Sequence, residues 1–225
     1  LLKGIKAFNK IHIDSTRHII SFDYMNRKLS FAYGDSKGML EATLEWIRTQ
    51  FFEEQYNWLD VKDNDVVDIG ASVGDTAIYF ALKGARHVYG FELDRERASL
   101  AAKNAKLNGL DNIKIINAGC GKPGKIKFGG SEATIESLDK IVETYRLKDA
   151  VLKMDCEGCE YYSLLNASDK TLRSFKQIML EYHRGYRDIE KRLKIAGFKV
   201  WHSRPEVFKN GESEGYLGFL YAVRK

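Results

Sequence analysis

Three cysteines in 225 residues are too few for a disulfide framework and fit a reducing compartment. Proline is scarcer still, with only 2 residues, and Gly/Ser linkers, internal repeats and low-complexity tracts are absent. A hydrophobic content of 44% then places the chain among folded rather than disordered proteins. No uninterrupted apolar run approaches the roughly 20 residues of a membrane span, and Leu1-Leu-Lys-Gly-Ile-Lys6 is too short for a signal sequence. A cytoplasmic protein without a membrane span is expected. The chain begins at Leu1 rather than at Met, so a trimmed amino terminus is expected. Charge of one sign is not concentrated anywhere: the net charge of +5 is dispersed, with Lys and Arg interleaved among Asp and Glu. Such mild basicity describes a solvated surface and does not favour a nucleic-acid partner. A Ser-His-Asp hydrolase is not expected, and no complete Gly-x-x-x-x-Gly-Lys-Ser/Thr phosphate loop is present.

The apolar rhythm divides the chain near residue 60. Ile20, Phe22 and Tyr24 alternate with polar residues, as do Leu29, Phe31 and Tyr33, which predicts a β-hairpin. Leu40, Leu44, Ile47 and Phe51 follow at helical spacing, predicting an amphipathic helix that ends near Tyr56. Residues 1–60 are therefore expected to form an N-terminal appendage, and residues 61–225 the main domain. From Val66 strands and helices alternate. Strands are predicted at 66–69, 88–92, 113–117, 125–128, 150–154 and 177–181, and a helix at 135–145. Another helix should run from Asp94, an N-cap, to Asn108-Gly109, with Ala98, Ala101 and Ala105 as a small-residue stripe. This alternation predicts an α/β fold with a doubly wound, mainly parallel sheet. The end of the chain breaks the rhythm. Residues 198–201 and 216–223 read as strands, but 202–215 between them lack helical periodicity. Without a crossover helix the two strands must pair antiparallel, giving a C-terminal antiparallel hairpin.

The most informative segment is Asp68-Ile-Gly-Ala-Ser-Val-Gly74, a glycine turn between a strand and a helix. Its Gly-x-x-x-Gly spacing differs from the Gly-x-Gly-x-x-Gly of dinucleotide binders, which together with the terminal hairpin disfavours an NAD-dependent oxidoreductase. An acid at the strand end suits a cationic amine better than a pyrophosphate, and S-adenosylmethionine carries both an α-amine and a sulfonium. Gly70 and Gly74 would let a ligand approach the backbone. Glu92, closing the second strand, is placed to accept hydrogen bonds from both ribose hydroxyls. Asn117-Ala118, closing the third, lies where an adenine edge would sit. A parallel sheet closed by an antiparallel hairpin resembles the fold of the class I S-adenosylmethionine-dependent methyltransferases.

Asp155 closes the fourth strand and opens Asp155-Cys-Glu-Gly-Cys-Glu160. Carboxylates there could orient an acceptor hydroxyl, remove its proton, or bind a divalent cation. Otherwise Asp155 caps the next helix while Glu157 and Glu160 face water. Cys156 and Cys159 form a Cys-x-x-Cys, read as packing rather than as a redox pair or half a zinc site, since too few ligands remain to complete one; no metal is expected. Glu181-Tyr-His183 ends the fifth strand over the same pocket, and His183 is a candidate general base.

Val67-Asp-Ile-Gly-Ala-Ser-Val-Gly74, Leu152-Lys-Met-Asp-Cys-Glu-Gly-Cys-Glu160 and Ile178-Met-Leu-Glu-Tyr-His183 together resemble the FkbM-like family of S-adenosylmethionine-dependent methyltransferases. Ser137-Leu-Asp139 resembles that family's short Leu-Asp signature. The likeness spans roughly residues 60–185, and Lys-x-Asp-x-Glu-Gly-x-Glu is its most specific part. It implies S-adenosylmethionine as cofactor and methyl transfer to an oxygen of a small-molecule acceptor such as a sugar or glycolipid. Asp68, Gly70, Ala71, Ser72 and Gly74 would form the cofactor loop, Glu92 the ribose clamp, and Asp155 with Glu157, assisted by Glu181 or His183, the acceptor side. Ser72 stands where the family usually has Asn, an exchange that keeps a polar contact. The cysteines stand where it has small or branched apolar residues. The alternatives are an RNA or protein methyltransferase and a non-catalytic binding module of the same fold. Oligomeric state is not encoded in any motif.

Overall fold

The structure is a computed structural model and describes residues 11–210 and 213–224. The Leu1–Lys6 stretch discounted as a signal segment lies outside them. Three short strands open the described chain, β1 (His12–Asp14), β2 (Ile19–Tyr24) and β3 (Arg27–Ala32), paired antiparallel in that order. Helix α1 (Met39–Ile47) runs on into a π-helical turn over Arg48–Phe52. The alternating unit then follows: β4 (Asp65–Ile69), α2 (Asp75–Leu82), β5 (His87–Phe91), α3 (Arg95–Leu107) and β6 (Ile113–Ile116).

Next come β7 (Gly119–Cys120), β8 (Gly124–Phe128), β9 (Ser131–Glu136), α4 (Leu138–Tyr145), β10 (Ala150–Met154), α5 (Cys159–Asn166), α6 (Asp169–Leu172), β11 (Phe175–Tyr182) and α7 (Arg187–Ile195). The chain closes with β12 (Phe198–His202), β13 (Glu206–Asn210) and β14 (Ser213–Arg224). The main sheet has the order β12-β14-β11-β10-β4-β5-β6. Its strands from β11 through β6 are parallel, and β14 is antiparallel to both β11 and β12. The doubly wound α/β expectation with its antiparallel closure is therefore met.

Two readings need correction. The helix expected over 135–145 starts only at Leu138, where the Ser137 side chain accepts a hydrogen bond from the Lys140 N–H; Ile135 belongs instead to β9, paired with β8. The segment 202–215 contains a strand, β13, which folds back on β14 as a hairpin. Its mixed polarity is that of an edge strand with little to bury.

The sheet separates two apolar clusters. On one face Leu138, Ile141, Leu164, Ile189 and Leu193 from three helices cover Leu152, Ile178 and Leu180. On the other, α2 is sandwiched between the sheet and the N-terminal strands, so that Phe22, Phe31 and Phe51 share a core with Tyr79 and Val66. The alanine stripe of α3 is buried as expected. Asn104 and Asn108, one turn apart on that helix, act as a substitute strand for the edge of β3. Asn104 accepts the Ala32 N–H at 2.7 Å and donates to the Ala32 carbonyl at 3.1 Å, and Asn108 does the same for Ser30 at 2.9 and 2.8 Å. Backbone groups left open at a sheet edge are thereby satisfied. Among the described residues no helix is long and apolar enough to cross a membrane.

Candidate active site

Where β4, β5, β10 and β11 end, the sheet opens into a cleft of about 1270 Å³. Small-ligand pockets commonly hold about 300–1,000 Å³, so this one has room for a cofactor and a second molecule. Of the residues singled out from the sequence, Gly70, Ser72, Glu92, Asp155, Glu157, Glu181 and His183 line it, whereas Asp68, Ala71, Gly74, Asn117 and Ala118 do not.

Asp68 is the main departure. Its side chain is 0% exposed and the Lys153 ammonium, itself 2% exposed, lies 2.9 Å from Oδ1. The other oxygen accepts the Thr76 hydroxyl at 2.5 Å. Burial pushes the Asp68 carboxyl up, against the lowering effect of Lys153. Asp68 is thus held beneath the cleft by the Lys153 ammonium and the Thr76 hydroxyl. Lys153 also donates to the Gly70 carbonyl at 2.7 Å and more weakly to that of Ile69 at 3.3 Å. It thus ties β10 to the glycine turn, one position across from Asp68 in the parallel register.

Packing alone already requires both glycines of the turn. Gly70 has φ +79°, and a Cβ there would lie 1.7 Å from the Asp155 carbonyl oxygen. At Gly74, with φ +87°, a Cβ would lie 3.1 Å from Ala101 Cα of α3. The Gly70 and Ala71 N–H groups donate to the Phe91 carbonyl at 2.9 and 3.0 Å, so the turn offers no empty cradle for phosphate.

Glu92 is buried, and each oxygen accepts one backbone N–H, Oε2 from Ser72 and Oε1 from Asp94, both at 2.8 Å. Burial raises its carboxyl against those two bonds. A carboxylate oxygen can accept more than one hydrogen bond, so both retain capacity toward the cleft. Asn117 instead donates to the carbonyls of Glu92 and Leu93 at 2.9 and 3.0 Å. It braces the loop that carries Glu92, and Ala118 is packed in the core.

Asp155, Glu181 and His183 converge at the ends of β10 and β11, each with a donor atom within 4.8 Å of the others. That spacing would suit a divalent cation as well as a proton relay. Burial, and then the Asp155 charge beside it, push Glu181 up to about 7. His183 Nε2 lies 3.9 Å from Asp155 and 3.4 Å from Glu157, and Nδ1 lies 3.5 Å from Glu160. Burial works against the imidazolium, but the three carboxylates outweigh it and raise His183 to about 9. These carboxylates favour the imidazolium, so that His183 enters the site as a charge partner of Asp155, Glu157 and Glu160. Glu160, expected to face water, is fully buried and accepts the Cys156 N–H at 2.9 Å. Cys156 and Cys159 are joined by a disulfide. This corrects both the packing reading and the expectation of wholly reduced cysteines: the tight turn through Glu157 and Gly158, both at positive φ, brings the thiols together.

Residues the sequence reading passed over complete the cleft. Tyr56, buried, donates to Asp155 Oδ2 at 3.3 Å, and Gln50 and Asp75 also line it. A signal existed for Lys153, because a lone charge inside the apolar run 150–154 must find a buried partner. Asp75 reads only as a helix-start acid, and nothing local marks Gln50.

A family model described as the methyltransferase FkbM domain matches residues 68–200. An uncharacterized protein, 158B, of Sulfolobus islandicus rod-shaped virus 1 is 33% identical over 132 residues, 59% of this chain and 68% of its own. A protein described as an uncharacterized RNA methyltransferase from Caldanaerobacter subterraneus is 30% identical over 95 residues, 42% of this chain but only 18% of its own length. Among solved structures, Methanocaldococcus jannaschii TYW2 in complex with AdoMet superposes with a TM-score of 0.50 at 15% identity, covering 96% of this chain and 93% of that one. The M. jannaschii tRNA m1G37 methyltransferase gives 0.51 at 16% identity, covering 94% and 58%. At such identities the likeness is one of fold.

Proposed function

The chain belongs to the FkbM family of S-adenosylmethionine-dependent methyltransferases, and from that premise we propose that it methylates a hydroxyl oxygen of a small-molecule or sugar acceptor. In this reading residues 1–60 are an appendage and residues 61–225 carry the methyltransferase domain. The cleft suits the cofactor: Glu92 keeps hydrogen-bonding capacity for the ribose hydroxyls, and a buried Asp75 oxygen is unpartnered. When bound, the cofactor supplies a methyl carbon activated by its sulfonium.

The observation that carries the oxygen-acceptor reading is the Asp155–Glu181 pair, in which one carboxyl is held at about 7. A carboxylate of that basicity takes a hydroxyl proton far better than an ordinary one, an assistance worth about 10²- to 10⁴-fold. The His183 imidazolium, held against Asp155, Glu157 and Glu160, offsets part of the negative charge of this acidic corner, and Tyr56 fixes the orientation of Asp155. Alignment of acceptor and methyl within about 3–3.5 Å, with water excluded, does the rest. The test is incubation with cofactor labelled with ¹³C at the methyl group and a panel of sugars, phenols and polyols. A new methyl ether resonance supports the proposal; transfer only to nitrogen, or only to a macromolecule, overturns it.

A second reading, RNA methylation, draws on the names of the neighbouring proteins. It predicts tRNA binding that weakens steeply between 50 and 200 mM salt.

A further inference from the structure

The cleft contains two polar side chains, almost wholly buried, that the protein leaves unpaired. Asp75, in the first turn of α2, is 5% exposed and its Oδ1 has no hydrogen-bond partner among the described residues. Gln50, in the π-helical turn, is 1% exposed and neither its amide oxygen nor its nitrogen has a partner. Both line the same cleft, and the two elements pack directly on each other, with Phe51 edge-on to Tyr79 at 6.0 Å. An unpaired buried carboxylate and an unpaired buried amide are each costly, and one ligand carrying an ammonium and a carboxylate on a single carbon would relieve both. Asp68 is less well placed for the ammonium, because it is paired with Lys153 and Thr76 and does not line the cleft. Lys153 in turn is engaged by Asp68 and the turn carbonyls.

Resting on the reading that the cleft holds S-adenosylmethionine, we infer that Asp75 and Gln50 receive the amino-acid end of the cofactor, Asp75 accepting from its ammonium and the Gln50 amide donating to its carboxylate. The N-terminal appendage is then part of the cofactor site. The charge balance agrees: one cation joins one carboxylate, and one N–H donor meets one anion. A charge-assisted hydrogen bond of this kind is worth roughly 10- to 100-fold in affinity.

The test is calorimetric titration with three adenosine thioethers: S-adenosylhomocysteine, 5′-S-(3-carboxypropyl)-5′-thioadenosine, which lacks the amine, and 5′-S-(3-aminopropyl)-5′-thioadenosine, which lacks the carboxylate. Asp75→Asn should weaken the first and third by about 10- to 100-fold and leave the second unchanged. Gln50→Met should weaken the first and second and leave the third unchanged. Equal losses on all three ligands would assign both residues a merely structural role and overturn the inference. Failure of the unaltered protein to bind S-adenosylhomocysteine at all would instead overturn the cofactor reading beneath it.

A measurement on the unaltered protein stands independent of the variants' folding. Burial, opposed by the Lys153 charge and reinforced by those of Asp68 and Asp155, raises the Asp75 carboxyl to about 7, with Tyr56 facing it from the appendage side. Affinity for S-adenosylhomocysteine should therefore climb with pH up to about 7 and level off above, while affinity for the amine-free thioether stays flat. Parallel pH profiles for the two ligands would overturn the inference.

Discussion

Replacing Lys153 by Met tests the electrostatic arrangement beneath the cleft. The substitution keeps most of the side-chain volume but removes the ammonium that lies 2.9 Å from Asp68. It leaves a carboxylate that is 0% exposed with one remaining partner, the Thr76 hydroxyl, and it strips a donor from the Gly70 carbonyl. Breaking a buried pair from one side costs about 3–5 kcal/mol. In a chain of this size each kcal/mol shifts Tm by about 2–4 °C, so a loss of roughly 6–20 °C is expected. Asp68→Asn should cost less, about 2 kcal/mol, because the neutral amide still accepts from Thr76 and the ammonium keeps the Gly70 carbonyl. The double variant removes both charges and should recover about 2–3 kcal/mol relative to the sum of the singles. Urea titrations at pH 7 with a constant m-value measure all three, and moving from 0.1 to 1 M salt should change little, since a buried pair is weakly screened. Lys153→Met costing under about 1 kcal/mol, or strict additivity in the cycle, would refute the coupling. Asp68 would then be free to turn into the cleft.

Other expectations follow from the same geometry. Asp75→Asn should stabilise the free protein at alkaline pH. The folded carboxyl sits near 7 against an ordinary 3.8, so its stabilising contribution is complete below the lower value and is lost as pH rises through the upper one. Denaturation midpoints of variant and parent should therefore coincide at pH 4 and diverge by pH 8, by up to about 4 kcal/mol. Glu181→Gln should lower kcat by about 10²- to 10⁴-fold and abolish the rise in rate through pH 7 that a carboxyl held at about 7 predicts. Gly70→Ala, whose methyl would meet the Asp155 carbonyl at 1.7 Å, should unfold the protein or displace Asp155, whereas Gly109→Ala, with open space around it, should cost only about 1 kcal/mol. Thiol titration of the unfolded, unreduced chain should count only Cys120, and reduction should reveal all 3 cysteines.

What the sequence disclosed follows from how local each signal is. β4 and β10 are buried on both faces and read as short apolar runs interrupted by Asp68 and by Lys153. Ser137 and Asp94 announce helix starts through their own side chains, although Ile135 beside one of them was drawn into the helix because a single apolar residue fits either period. Edge strands such as β13 bury too little to leave a pattern. In the site, the acids at strand ends were legible because the carboxyl edge of such a sheet is where ligands gather. Their partners were not. Which cation meets Asp68, whether Cys156 closes on Cys159, and that Gln50 reaches the cleft are decided by pairing between segments far apart in the chain.

The order of the main sheet also bears on how the protein is made. β14 follows β11 and β12 in the chain yet lies between them. A ribosome therefore delivers both neighbours before the strand that joins them. During that interval β11 presents an open edge bearing Ile178 and Leu180, and β12 cannot dock. A nascent chain paused there is a template for pairing with its neighbours on the same messenger. The insertion of β14 between β11 and β12 thus closes two strand edges at once, and its loss would open both.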